Sequence, residues 1–228
     1  MVAALEAEPL TRSVEDYLKA IYRLSSGGQP ASTSQIAELL VLSAPSVSGM
    51  VRRLSEQGLL EHVPYRGVLL TASGRRVALR MIRRHRLIEA YLVAMLGYSW
   101  DTVHDEAERL EHAVSDHLVE RMAAALGNPH FDPHGDPIPA PDGTIDELVY
   151  TALADIPEGE TAELRRVDTS QPERLRYLEH TGLKPGIRVT VRARQPFHGP
   201  LTIESDGRAQ VIGQELAKQL LCVRSEPA

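Results

Sequence analysis

The chain has one cysteine, Cys222, in 228 residues. That scarcity excludes an intramolecular disulfide framework and any cysteine-rich zinc module. Metal binding, if present, must use oxygen and nitrogen donors. Also missing is any uninterrupted apolar run approaching the roughly 20 residues that a membrane span needs. The opening stretch, MVAALEAEPLTRSVEDY, places acids before its first arginine and has no basic region followed by an apolar core. A cytoplasmic protein without a membrane partner is therefore expected. The length suits two domains better than one, and 43% hydrophobic with 25% charged residues is ordinary for a soluble globular chain.

A net charge of −6 hides a segregation of sign. From Arg52 to Arg86 there are nine arginines against Glu56 and Glu61, whereas Asp101 to Glu120 holds seven acids and one arginine. The first stretch suits phosphate and the second a cation, because binding responds to the local patch rather than to the sum. Within the acidic stretch, VHDEAERLEH sets His104, Glu108, Glu111 and His112 at helical spacing, so they form one stripe along a helix. Such a stripe is either a salt-bridged surface or a site for a divalent cation. RRHRLIEAYL repeats an i, i+4 His/Glu pairing with His85 and Glu89, so two helices can present converging ligands, which favours the cation.

Capping and periodicity predict the elements. Ser13 opens a first helix with Glu15 and Asp16 in its first turn and Tyr17, Leu18, Ile21, Tyr22 and Leu24 as its core face. After the SSGGQP loop, STSQIAELL reads as a short helix opened by Ser32 or Thr33. SAPSVSGMVRRLSEQG follows with Ser43 as N-cap, Pro45 in the first turn and Gly58 at the end. Two extended runs, 60–63 and 68–71, flank Pro64, Tyr65, Arg66 and Gly67 and read as a hairpin placed where a wing would be. A long amphipathic helix starts at Gly74. Gly97 and Tyr98 interrupt it before a helix carrying the ligand stripe, which is expected to run to about Leu126. These helices carry more apolar surface than a winged helix needs, and a helical dimer interface would use the excess. Five prolines between Asn128 and Gly143 break regular structure, and His130 and His134 in that loop are expected to be exposed. His117 is expected on the far side of its helix from the stripe. From about Leu148, strand-like runs (TAELRRV, IRVTVRAR, LTIES, AQVI) alternate with Gly and Pro turns, and a small β-barrel fits. Cys222, in an apolar run, is expected to be buried.

A helix-turn-helix places the start of its second helix nearest the base edges. Here Ser43, Pro45, Ser46, Ser48 and Gly49 would lie there, none of them a bidentate reader such as Arg on guanine or Asn on adenine. Selectivity would lean on shape or water, with Arg52, Arg53 and the wing residue Arg66 as phosphate anchors.

The stretch from Ser13 to about Pro139 resembles the diphtheria-toxin-repressor family of metal-dependent transcriptional regulators. VEDYLKAIY is similar to that family's first helix and APSVSGMVRRL to its recognition helix. RRHRLIEAYL and VHDEAERLEH resemble its metal-binding helices, and GNPHFDPHGDPIP its connecting segment. GLKPGIRVTV is similar to the SH3-like (FeoA-type) barrel of many members. The resemblance implies a mainly α protein: a winged helix-turn-helix over residues 1–74, a helical metal-binding and dimerisation domain over 75–140, and an SH3-like β-barrel over 141–228. It implies a cytoplasmic homodimer that represses metal-uptake genes at a palindromic double-stranded operator, takes no small organic substrate and is not an enzyme.

Carried over by motif, the resemblance assigns Asp16, Glu108, Glu111 and His112 to an activating metal site and His85, Glu89 and His104 to a second site. In some members the barrel adds ligands to the second site, and Gln171 and Glu173 are the nearest polar matches. The iron-type members have methionine and cysteine where this chain has Asp16 and Glu108. Oxygen ligands suit a harder ion, so Mn²⁺ is expected first and Fe²⁺ as the alternative. Lys19 departs from the manganese branch, which has an acid there. Two rival readings are a winged-helix regulator sensing an organic ligand and a di-metal enzyme. Against the enzyme, Glu-x-x-His motifs on two helices are missing and no nucleophile or base is left over.

Overall fold

The computed structural model describes residues 11–25, 27–146 and 148–224. Most of the opening stretch and the last four residues of the expected barrel lie outside them. The chain divides into two compact units, the first running to Arg83 with residues 139–143 and the second comprising Arg84–Ile138 and the chain from Thr144.

In the first unit, α1 (Arg12–Leu24) buries Val14, Tyr17, Leu18 and Ile21 along one face, the i, i+3, i+4, i+7 pattern of an amphipathic helix. α2 (Thr33–Leu40) begins with a capping box: the Ser32 hydroxyl accepts the Gln35 N–H, and the Gln35 side chain accepts the Ser32 N–H at 3.0 Å. α3 (Ala44–Glu56) is capped by Ser43 with Pro45 in its first turn, and α2 and α3 meet at 112°, a helix-turn-helix angle. The turn passes through Val41 at φ 55, a left-handed conformation uncommon for a β-branched residue. β1 (Leu60–Val63) pairs antiparallel with β2 (Gly67–Leu70), forming the wing, with Tyr65 exposed at its tip. Gly67 is required there, because a Cβ would lie 2.1 Å from the Ala31 carbonyl oxygen. Val47, Val51 and Leu54 of α3 pack with Ile36, Leu60 and Val68 into one core.

α4 (Ala72–Leu96) begins in the first unit and continues into the second. α5 (Val103–Leu110) and α6 (Asp116–Ala125) follow. The single helix expected to reach Leu126 is thus two, because Ser115 leaves the helical conformation and caps α6 by accepting the Leu118 N–H. Leu87 packs with Val119, Ala123 and Ile138, and Ile88 and Leu92 pack with Val103 and Ala107. No single helix among the described residues is long and apolar enough to cross a membrane.

The barrel is one six-stranded antiparallel sheet in the order β3-β8-β4-β5-β6-β7. Its strands are β3 (Thr151–Ala152), β4 (Thr161–Val167), β5 (Arg188–Arg194), β6 (Leu201–Ser205), β7 (Arg208–Ile212) and β8 (Leu220–Arg224), with helices α7 (Pro172–Thr181) and α8 (Gln214–Ala217) between them. Leu164, Leu178, Val191, Ile203 and Cys222 fill its core together with Trp100, which precedes α5. Cys222 is fully buried, and burial pushes its thiol up to about 12. Iodoacetamide at mildly alkaline pH is accordingly expected to leave Cys222 unlabelled in the folded protein and to label it in guanidinium chloride. Rapid labelling without denaturant would show that the barrel core is open.

Candidate metal centre

α4 carries His85 and Glu89 one turn apart, each 3% exposed. α5 carries His104 and Glu108, and Glu111 and His112 follow at its C-terminal end. The expected stripe therefore runs the length of a short helix and into the bend after it. Arg84 holds that bend: its guanidinium donates to the Glu111 carbonyl oxygen at 2.9 Å and pairs with Asp116 at the start of α6. A cation at a helix C-terminus also meets the negative end of the helix dipole.

These side chains converge around His85. Its Nδ1 faces a carboxylate oxygen of the fully buried Glu111, and its Nε2 lies 2.9 Å from Glu89 Oε1 and 3.1 Å from His104 Nδ1. Glu89 Oε1 is also 3.0 Å from His104 Nδ1. Glu108 Oε1 is 3.9 Å from both His85 Nδ1 and His104 Nε2, and Glu111 Oε1 is 3.3 Å from His112 Nε2. Burial pushes the Glu89 carboxyl up, but the field of His85 and the hydrogen bonds of His104 and His85 outweigh it and hold the group well below the ordinary carboxylate range. Glu89 is thus a buried anion facing two imidazoles.

His85, His104 and Glu108 can each offer a donor atom within 4.8 Å of the others, and so can Glu108, Glu111 and His112. This donor set contains nitrogen and oxygen but no sulfur, which fits Mn²⁺, Fe²⁺ or Zn²⁺. Asp16 stands on α1 in the first unit, half-buried, in a cleft of about 400 Å³ with Arg12, Tyr17, Leu40 and Leu42. Lys19 is buried on the same helix.

A further cluster escaped the sequence reading. Glu89, Asp132 and His134 are all buried and also bring donor atoms within 4.8 Å of one another. His134 is 8% exposed, so its expected exposure is not observed, whereas His130 is exposed and His117 is exposed on α6, outside every cluster. The proline-rich loop is packed: the Ile138 N–H donates to the His130 carbonyl, Asp132 Oδ1 accepts the N–H groups of His134 and Asp136 at 2.9 Å, and the His134 ring stands edge-on to Trp100. Burial, then the charges of Asp136 and Glu89, raise the Asp132 carboxyl well above its ordinary range. The available signal was Asp-Pro-His, two ligand types on one rigid turn. Gln171 and Glu173 are exposed at the start of α7, and Glu173 belongs to none of these clusters.

The expected DNA-reading residues Ser43, Pro45, Ser46, Ser48, Gly49, Arg52 and Arg53 all lie exposed on α3 or its cap, and Arg66 is exposed on the wing, donating to Gln29.

Residues 9–68 match the model for the N-terminal DNA binding domain of iron dependent repressors, and residues 71–140 match that family's metal binding and dimerisation domain. Residues 151–224 match the FeoA domain. The diphtheria toxin repressor of Corynebacterium jeikeium is 37% identical over 238 aligned positions, covering 91% of this chain and 95% of the relative. The chain belongs to the diphtheria-toxin-repressor family. Within it, the iron-dependent repressor IdeR of Mycobacterium tuberculosis H37Rv is 33% identical over 214 residues, covering 89% of this chain and 92% of IdeR. A solved manganese-dependent transcriptional repressor in complex with manganese superposes with a TM-score of 0.83 at 42% identity, over 93% of this chain and all of that one. The family is one of transcriptional regulators, not enzymes.

Proposed function

We propose that this family member is a cytoplasmic, homodimeric repressor, activated by Mn²⁺ with Fe²⁺ as the alternative, that binds a palindromic operator and shuts off metal-uptake genes when metal is sufficient. The observation that carries this reading is the convergence of buried His85, Glu89 and Glu111 with half-buried His104 and Glu108, without a sulfur donor. Asp16, Glu108, Glu111 and His112 form the activating site, and His85, Glu89 and His104 the second. Asp132 and His134 extend the second site through Glu89.

The manganese preference follows from Asp16 and Glu108, because carboxylates suit a hard ion better than a soft one. When bound, the cation supplies positive charge that offsets the mutual repulsion of these carboxylates. Asp16, on α1 of the DNA-reading unit, would share the cation with the ligands on α5, and the separation of reading heads that suits two half-sites about one helical turn apart would then be favoured. A coupling of roughly 1–3 kcal/mol, about 5- to 150-fold in operator affinity, is sufficient.

Fluorescence anisotropy on promoter fragments from the source genome, at fixed salt, compares chelator with added Mn²⁺ and Fe²⁺. Binding that needs metal is expected, with Mn²⁺ the stronger ion. Equal binding in chelator would leave a winged-helix regulator with another trigger.

A further inference from the structure

Glycine inside a helix weakens it, because the unfolded chain has more freedom to lose and no side chain covers the backbone. It persists where something needs the space. Gly74, in the first turn of α4, shows the ordinary reason, since a Cβ there would meet the Leu59 carbonyl oxygen at 2.1 Å. Gly49 has no such reason: it lies in the middle of α3, it is exposed, and a Cβ built there meets nothing within 4 Å. Pro45 and Ser46 stand one turn before it and Arg52 and Arg53 one turn after, all exposed, while Val47, Val51 and Leu54 are buried behind it. Gly49 is therefore the centre of the outward face of α3.

The hydroxyls around it are partly committed. Ser43 and Ser46 pair with each other at 2.9 Å, and Ser48 donates to the Ala44 carbonyl at 2.9 Å. This leaves α3 with a one-side-chain gap flanked by short groups in place of hydrogen-bonding readers. In the major groove, the C5-methyl of thymine is the one apolar group that a base edge presents.

We propose that Gly49 is a specificity-determining residue: its missing side chain lets the α3 backbone approach the groove and seats a thymine methyl at one position of each half-site. This rests on the reading of α3 as the recognition helix. Shape, rather than hydrogen bonding, selects T·A at that position.

The test uses the full-length protein with Mn²⁺ and a duplex selected by the wild-type protein from a random-sequence pool. Each thymine is replaced in turn by deoxyuridine, which removes only the methyl. Gly49→Ala is expected to raise the melting temperature by about 2 °C and to weaken binding to the thymine duplex about tenfold. One deoxyuridine position per half-site should weaken the wild type and restore the variant, since the methyl on either partner fills the same gap. Gly49→Ala binding as tightly as wild type, or weakly on every duplex whichever methyl is removed, overturns the proposal. Arg53→Ala, at an exposed site, separates the two levels. If it leaves affinity unchanged, α3 is not the reading helix and both readings fall. If it weakens binding while Gly49→Ala does not, only the inference about Gly49 falls.

Discussion

Glu108→Ala is expected to abolish metal stimulation of operator binding while leaving the fold intact. Glu108 is half-buried, and its Oε1 lies 3.9 Å from both His85 and His104. It can contribute a donor beside those two imidazoles or beside Glu111 and His112, so its loss subtracts one anionic ligand from either arrangement. The Mn²⁺-stimulated gain, about 5- to 150-fold in the wild type, should collapse to no gain, measured by anisotropy with and without chelator. Thermal unfolding of the metal-free variant should change little, because a partly solvated carboxylate contributes little to stability. Glu111→Ala is a poorer probe. Glu111 is fully buried and faces His85, so its removal disturbs packing and ligation together. Undiminished stimulation in Glu108→Ala would remove Glu108 from the site.

The other large effect is expected at Gly135. This residue sits at φ +89, and a Cβ there would lie 1.8 Å from the Arg165 carbonyl oxygen and 2.8 Å from the Arg166 Cα. Neither side has room to yield. The Val167 N–H donates to the His134 carbonyl at 2.8 Å, Arg166 pairs with Asp136 at 3.1 Å, and β4 is held between β5 and β8. Gly135→Ala therefore combines left-handed strain of about 1–2 kcal/mol with a backbone collision of about 1–3 kcal/mol. A chain of this size should lose about 2–4 °C in melting temperature per kcal/mol, so a drop of about 10 °C is expected by circular dichroism. The same change should weaken Mn²⁺ binding, since Asp132 and His134 lie on the displaced turn. An unchanged melting temperature would mean that this loop does not pack on β4.

Much of the reading unit was legible because its signals are local. Ser43 caps the helix that it was expected to cap, Ser32 rather than Thr33 caps α2, and the hairpin follows from extended runs around Pro64, Tyr65 and Arg66, although β2 starts at Gly67, one residue before the expected run. The ligand stripe was legible as spacing, since His85/Glu89 and His104/Glu108 each sit one turn apart. Less visible was the end of α5, because helical spacing from His104 to His112 reads the same whether Glu111 is inside a helix or at its C-cap. α7 was missed although Pro172 and Gly182 bracket it, since only Leu175 and Leu178 mark its buried face among polar neighbours.

By itself the sequence determined the type of donor and the type of element. A single cysteine excludes a cysteine-rich site and the His/Glu spacing points to nitrogen and oxygen donors, while capping with apolar periodicity dictates helix, turn, helix and wing, because each is settled by residues within a few positions of one another. Only the tertiary structure decided which donors meet. The Asp-Pro-His signal placed two ligand types on one turn, but only the packing of that turn against β4 and Trp100 buried Asp132 and His134 beside Glu89. Glu89 could then be seen as a buried anion shared by two clusters, because charge and burial depend on neighbours about 15 to 45 positions away that no local spacing reveals.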